Sequence, residues 1–311
     1  MKILLTSTSF IDTPGSHKKK LNDTRFIVDT LRGPVKENIL LPIISDYDGI
    51  ICGDDQITRE VIKKGVKGNL KVISKYGIGV DKIDLVAAKE FNIPICKTPG
   101  VNHVTVAEHI LALLFVYFKN IHLEYNITRK GNWERLIGHE IFGKKIGILG
   151  LGRIGKELAI RTKALGLKTI VYDPYIDNEF VNKHELSVAA NLDDLIENIE
   201  IFCLTLPLNK HTKGIVNSEL LSKAKNDLVI VNTSRALIIN QESLFSLLKT
   251  KKIKAYLTDV LEEEPMISNH PLLNFDNVLI TPHIGSRTFQ SVQRQGNMAV
   301  DNLLRELKTY I

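Results

Sequence analysis

Three residues of this chain carry side chains suited to holding an anion and exchanging a proton, and each stands just beyond a short apolar run. Arg235 follows Val231-Asn232-Thr233-Ser234, Glu264 lies in Asp259-Val260-Leu261-Glu262-Glu263-Glu264-Pro265, and His283 lies in Thr281-Pro282-His283-Ile284-Gly285-Ser286. A guanidinium holds a carboxylate and polarises a carbonyl with directed hydrogen bonds. An imidazole exchanges a proton near neutrality without a large shift. A carboxylate beside that imidazole fixes its orientation and favours its protonated form. Singly, each residue has a plain structural reading: Arg235 as a surface or interdomain salt-bridge partner, Glu264 as one of several solvated acids before a proline turn, His283 as a strand-end cap. At successive strand ends they point together to catalysis, because ligands of open α/β sheets gather outside the strands' carboxyl ends.

What positions such residues is read from the middle of the chain. The apolar run Ile146 to Leu149 leads into Gly150-Leu151-Gly152-Arg153-Ile154-Gly155, and Lys156-Glu157-Leu158-Ala159-Ile160-Arg161 then reads as the start of a helix. A second strand, Thr169-Ile170-Val171-Tyr172, ends in Asp173. Strand, three spaced glycines, helix, strand and acid form the dinucleotide fingerprint in its required context. The first glycine permits the turn, the second lets backbone approach a pyrophosphate, and the third lets helix and strand pack closely. Asp173 can accept hydrogen bonds from a ribose hydroxyl and would repel a 2′-phosphate. With Pro174 next rather than an arginine, NAD(H) is expected over NADP(H).

The chain has 311 residues, 44% of them hydrophobic and 24% charged, with a formal net charge of +6. That length suits two domains and that composition a soluble globular protein. The lysines are scattered apart from Lys18-Lys19-Lys20, so no basic stripe suggests a nucleic-acid partner. Cys52, Cys96 and Cys203 lie far apart in apolar runs and read as buried free thiols, which fits a reducing cytoplasm. The start of the chain lacks the apolar core of a signal peptide. Ile110 to Phe118, the greasiest stretch, is too short to span a bilayer, so no membrane association is expected. His103, His109, His211 and His270 show no metal-ligand spacing, and no metal is expected.

Strand-like and helix-like runs alternate from end to end, the pattern of a parallel α/β architecture. Strands are read near Lys2–Thr6, Asp48–Cys52, Leu70–Ser74 and Ile93–Cys96 before the fingerprint, and near Ile201–Leu206, Leu228–Asn232, Ala255–Asp259 and Val278–Thr281 after it. Val104 to Ile121 reads as one long helix, apolar on most faces and suited to burial between domains or subunits. Asn240 is expected to cap a helix, and a last amphipathic helix covers about Gln290 to Leu307.

These motifs resemble the D-isomer-specific 2-hydroxyacid dehydrogenase family, and within it phosphoglycerate dehydrogenases without their C-terminal regulatory domain. The likeness runs through Lys75-Tyr76-Gly77-Ile78-Gly79-Val80-Asp81-Lys82-Ile83-Asp84, Thr98-Pro99-Gly100-Val101-Asn102 and Val106-Ala107-Glu108 to the glycine turn and Thr281-Pro282-His283-Ile284-Gly285. It implies two doubly wound parallel-sheet domains, a Rossmann NAD-binding domain (99–283) inserted into a flavodoxin-like substrate domain (1–98 plus 284–311). It implies that Arg235 binds substrate, that His283 exchanges the proton, and that Glu264 pairs with it. NAD contacts are implied for Thr98, Gly150, Gly152, Arg153, Ile154, Gly155, Asp173, Thr205, Thr233, Ser234, Arg235, Asp259, His283, Gly285 and Ser286. Backbone amides at Ile78 and Gly79 would hold the substrate carboxylate, an arrangement that needs unobstructed backbone. Ala236 departs from the family's usual glycine and Asn240 from its usual acid.

Lys75 and Arg135 match positions that face a substrate phosphate in phosphoglycerate dehydrogenases, although lysine offers a point charge without the fork and either could be an ordinary surface cation. The expected reaction is therefore NAD-dependent interconversion of a small D-2-hydroxy acid and its 2-keto acid, 3-phosphoglycerate among the candidates. A glyoxylate or hydroxypyruvate reductase and a D-lactate-type dehydrogenase are the alternatives. An NAD(H)-sensing corepressor-like protein is the reading from a different class, since fold alone does not fix function. A homodimer built around the nucleotide domain is expected from the long apolar helix and Trp133.

Overall fold

A computed structural model of the chain describes residues 1–310. Two compact units emerge: Met1–Asn102 joined by the segment that begins at Ser286, and His103–Gly285. Both are parallel sheets flanked by helices, because their central strands are apolar runs that must be covered on two faces.

In the first unit, β1 (Lys2–Leu5), β2 (Ile27–Thr30), β3 (Gly49–Cys52), β4 (Val72–Lys75) and β5 (Ile95–Cys96) pair in the order β2-β1-β3-β4-β5. That is the flavodoxin-like winding, with its reversal beside β1. One face packs Leu4, Ile50 and Ile73 against Val61, Ile62 and Ala87. The other packs Ile3, Ile51 and Val72 against Val292, Ala299, Val300 and Leu303 of the helix Phe289–Leu307. That helix is pinned to the sheet where the Ser74 hydroxyl donates to the Ala299 carbonyl (2.8 Å).

The second unit contains β6 (Lys145–Leu149), β7 (Lys168–Tyr172), β8 (Ser187–Val188), β9 (Ile201–Leu204), β10 (Val229–Asn232), β11 (Ala255–Thr258) and β12 (Val278–Ile280). They lie in the order β12-β11-β10-β9-β6-β7-β8, so the winding reverses between β6 and β9. Register places Tyr172, Leu149, Leu204, Asn232, Thr258 and Ile280 in one row across six strands. The residues that follow this row are Asp173, Gly150, Thr205, Thr233, Asp259 and Thr281. Thus the polar residues singled out in the sequence leave the sheet along a single edge.

Three local features differ from the sequence reading. The edge strands β2 and β8 had no strand signal, because β2 is partly exposed and β8 is two exposed residues long. The long helix, His103–Phe118, stops three residues short of the expected Ile121, and a second helix, Ile121–Arg129, follows Asn120 at φ 54°. Much of the first buries within its own unit, through Ala107, Ile110, Leu113, Leu114 and Phe118. Among the described residues no single helix is long and apolar enough to cross a membrane. As read, Asn240 caps its helix, its side chain accepting from the Ser243 amide at 2.9 Å.

Candidate active site

The glycine turn occupies the point where the sheet reverses its winding, and its three glycines have three different surroundings. Gly150 adopts φ +100°, the left-handed region that a side chain resists, and a Cβ there would sit 3.1 Å from the Thr205–Leu206 backbone. At Gly155 a Cβ would stand 2.0 Å from the Gly150 carbonyl oxygen, so helix and strand could not close. At Gly152 a Cβ would meet no protein atom within 4 Å. Nothing in the protein requires glycine there, which is what a place kept clear for a phosphate looks like. The helix Arg153–Ala164 begins at Gly152 with no capping side chain, leaving its first amides to an anion. Arg153 is exposed and Ile154 half-buried at this end of the helix. Thr205 locks the turn from behind, its hydroxyl donating to the Gly150 carbonyl at 2.7 Å.

Asp173 is held in place by backbone. Its carboxylate accepts from the Leu151 amide (2.7 Å) and the Tyr175 amide (2.8 Å), which ties the end of β7 to the glycine turn. Open space at Gly152, uncapped amides and an anchored acid fit a dinucleotide.

Past β10 the chain is shaped by Asn232, a residue with no motif of its own to set it apart from its neighbours. Its side chain accepts from the Ser234 amide and donates to the Arg235 carbonyl, both at 3.0 Å. The Ser234 hydroxyl donates to the Leu204 carbonyl at 2.8 Å, and the Arg235 guanidinium donates to the Ser234 carbonyl at 2.7 Å. Thr233 and Arg235 are half-buried, while Ala236 is buried and opens a short 3-10 turn.

Glu264 and His283 meet. His283 Nδ1 lies 2.6 Å from Glu264 Oε2, with both side chains about one-third exposed. Glu264 Oε1 in turn accepts from the Leu261 amide at 2.9 Å, which aims the carboxylate. His283 stands at φ 54°. That backbone is fixed by Asp259, whose carboxylate accepts from the Thr281 hydroxyl (2.6 Å) and from the amides of Ile284 (2.8 Å) and Gly285 (2.7 Å). Asp259 is 1% exposed, so its side chain holds the His283 loop rather than lying open to a cofactor. Behind it His109 Nε2 reaches the Thr281 hydroxyl at 3.0 Å and lies 3.4 Å from Asp259. In sequence His109 shows no metal-ligand spacing and no other role, because its partners Thr281 and Asp259 lie more than a hundred residues away. His270, also set aside, accepts from the Leu272 amide at 3.2 Å and approaches Glu262 at 3.4 Å, bracing the loop that presents Glu264.

In the first unit the Thr98 hydroxyl accepts from the Gly77 amide at 2.8 Å, and the Thr98 amide donates to the Gly77 carbonyl at 3.0 Å. Fully buried, Thr98 shapes the loop that carries Ile78, which is exposed, and Gly79, which is half-buried. Lys75 is 3% exposed and donates to Asp54 Oδ1 at 2.7 Å. Ser286, next along the chain from Gly285, opens the C-terminal segment of the first unit. Arg135 is exposed, in the irregular stretch after the helix Ile121–Arg129.

Residues 111–285 match the family model described as "D-isomer specific 2-hydroxyacid dehydrogenase, NAD binding domain". The chain belongs to this family. It is 35% identical to the D-3-phosphoglycerate dehydrogenase of Methanocaldococcus jannaschii over 90% of its own length but only 53% of that protein's. It is also 35% identical to the glyoxylate reductase of Thermofilum pendens, over 97% of this chain and 90% of that one. A solved NAD-dependent formate dehydrogenase from Staphylococcus aureus, in complex with NAD, superposes with TM-score 0.84 at 27% identity and covers 100% of this chain and 97% of its own. Membership in the dehydrogenase family makes the second unit, which holds the matched residues 111–285, its NAD-binding domain.

Proposed function

We propose that this dehydrogenase interconverts a short D-2-hydroxy acid and its 2-keto acid with NAD(H). The observation that carries the reading is the 2.6 Å pair between His283 and Glu264, set at the same sheet edge as the glycine turn. Bound NAD(H) supplies or accepts the hydride. Gly152 and the amides of Arg153 and Ile154 would hold its phosphates, and Asp173 its ribose. Arg235, oriented through Asn232 and Ser234, binds the carboxylate and polarises the carbonyl. With Nδ1 engaged by Glu264, His283 exchanges the substrate proton through Nε2, and the carboxylate steadies the imidazolium. In the first unit, taken by itself, the amides of Ile78 and Gly79 offer a place for a carboxylate, and Thr98 fixes the curve of that loop.

NADH absorbance followed with glyoxylate, hydroxypyruvate, pyruvate and 3-phosphohydroxypyruvate tests the reading. Turnover with at least one is expected. NADH binding without turnover on any 2-keto acid would instead support a sensing role.

We also propose a homodimer. The segment after Ile121–Arg129 is strapped down, with the Asn120 side chain on the Ile137 carbonyl (3.1 Å) and the His139 amide on the Phe118 carbonyl (2.7 Å). Yet Trp133, Ile137 and Phe142 are 80%, 93% and 74% exposed on it, an apolar surface that a second copy would cover. Light scattering that returns the monomer mass at micromolar concentration would retire this part.

A further inference from the structure

We infer that Asp54 is a specificity-determining residue that cancels the charge of Lys75 and so selects against phosphorylated substrates. This rests on the dehydrogenase reading above and concerns the loops that follow β3 and β4 in the first unit.

Lys75 closes β4, a strand buried along its whole length. Its side chain is 4% exposed, and a lysine so covered needs compensation for the water its ammonium has lost. Two acceptors supply it, the Gly53 carbonyl and the Asp54 carboxylate, both from the loop that follows β3. Register brings them there, since Cys52 pairs with Lys75 across the sheet. The cation also runs along the substrate loop. A Cβ at Gly77, itself at φ +136°, would stand 3.5 Å from Lys75 Cε and 3.8 Å from Nζ.

An unopposed ammonium at that place would attract a substrate phosphate. Here the charge is already matched, and the matching group is the more exposed of the two: the Asp54 side chain is 45% exposed. An approaching dianion meets a carboxylate with a neutralised cation behind it, the repulsive element by which a site rejects a wrong partner. The adjacent acid has a separate task. Asp55 is 1% exposed and accepts from Thr6, Val35 and Gly53, so it builds the loop that delivers Asp54.

The test compares kcat/KM for 3-phosphohydroxypyruvate and hydroxypyruvate in the wild type, Asp54→Asn and Asp54→Glu, with Asp54→Ser in reserve if the amide variant is unstable. The wild type is expected to prefer hydroxypyruvate. Asp54→Asn should move the ratio toward the phosphorylated acid by about tenfold or more, as loss of one close like-charge contact implies, whereas Asp54→Glu should keep the wild-type ratio. Adding Lys75→Met to Asp54→Asn should abolish the gain. As a readout independent of turnover, 3-phosphoglycerate should raise the melting temperature of Asp54→Asn and not that of the wild type. A wild type that prefers the phosphorylated acid, or an Asp54→Asn ratio within about twofold of it, overturns the assignment. Absence of turnover on every keto acid would defeat the dehydrogenase reading instead, and the melting shift would still decide the role of Asp54.

Discussion

Both units bury an aspartate beyond the carboxyl ends of their strands, and the two are built alike. Asp55 and Asp259 are each 1% exposed. Asp55 accepts from the Thr6 hydroxyl and the amides of Val35 and Gly53. Asp259 accepts from the Thr281 hydroxyl and the amides of Ile284 and Gly285. Their proton affinities nevertheless move in opposite directions. Burial pushes the Asp55 carboxyl above its ordinary value, and its donors, with Lys75 nearby, do not make up the difference. Burial opposes ionisation at Asp259 too, but bonds from His109, Thr281, Ile284 and Gly285 outweigh it and hold that carboxyl low. The added partner is His109. Both acids tie down a loop, and the imidazole behind Asp259 additionally favours its ionised form beside the loop that carries His283.

If chemistry belongs to the Asp259 side, the largest single loss should come from His283. His283→Ala is expected to lower kcat by about a thousandfold, within the range for general acid–base groups, while NADH affinity changes little. Parallel losses in stopped-flow turnover and in NADH titration would remove His283 from that role. Next in size is the pair Asp259→Asn and Asp55→Asn. Each should lower stability by about 2–3 kcal/mol, as expected for buried donors left unmatched, but only the former should also reduce kcat, by tenfold or more. Equal kcat in the two, measured on folded protein, would break the comparison.

The pH dependence sharpens it further. Asp259 binds its proton less readily folded than unfolded, so its contribution is present above its unfolded value and is lost as pH falls through the folded one. Asp55 does the reverse: the folded chain favours its proton, and stability falls as pH rises from the unfolded value through the folded one. His109→Gln, which keeps a donor toward Thr281, should turn Asp259 toward the behaviour of Asp55 and move the acid limb of urea-unfolding stability to higher pH. An unmoved limb would mean that the imidazole is not the deciding partner. The smallest expected effect is at Gly152, whose open surroundings allow Gly152→Ala to fold normally while NADH binding weakens by about tenfold. A lowered melting temperature without ligand would show that the glycine serves the fold itself.

The second unit was largely legible in the sequence because its chemistry is local. Each chemical residue follows an apolar run of four or five residues, and the glycine turn lies within six positions. What the sequence left out depends on register. His109 acquires meaning only when the helix carrying it packs against the ends of β11 and β12. The Lys75–Asp54 pair joins the end of β4 to the loop after the neighbouring β3, so the lysine reads in sequence as a phosphate contact without its counter-charge. The end of the long helix at Phe118 was placed three residues late because neither glycine nor proline marks it; the turn is made by Asn120 in the left-handed conformation. Strand β2 escaped because an exposed edge strand need not be apolar.

The helix Phe289–Leu307 has a consequence for synthesis on the ribosome. It supplies Val292, Ala299, Val300 and Leu303 to the face of the first sheet formed by Ile3, Ile51 and Val72. That face emerges early, yet its cover is translated only after the whole of His103–Gly285. At about 5–20 residues per second, the nascent first unit carries an open apolar surface for on the order of ten seconds or longer. The second unit has all its strands in one continuous stretch and can close as soon as it leaves the exit tunnel. Order of completion is therefore the reverse of order of emergence, and the earliest residues of the chain are the ones most in need of a chaperone.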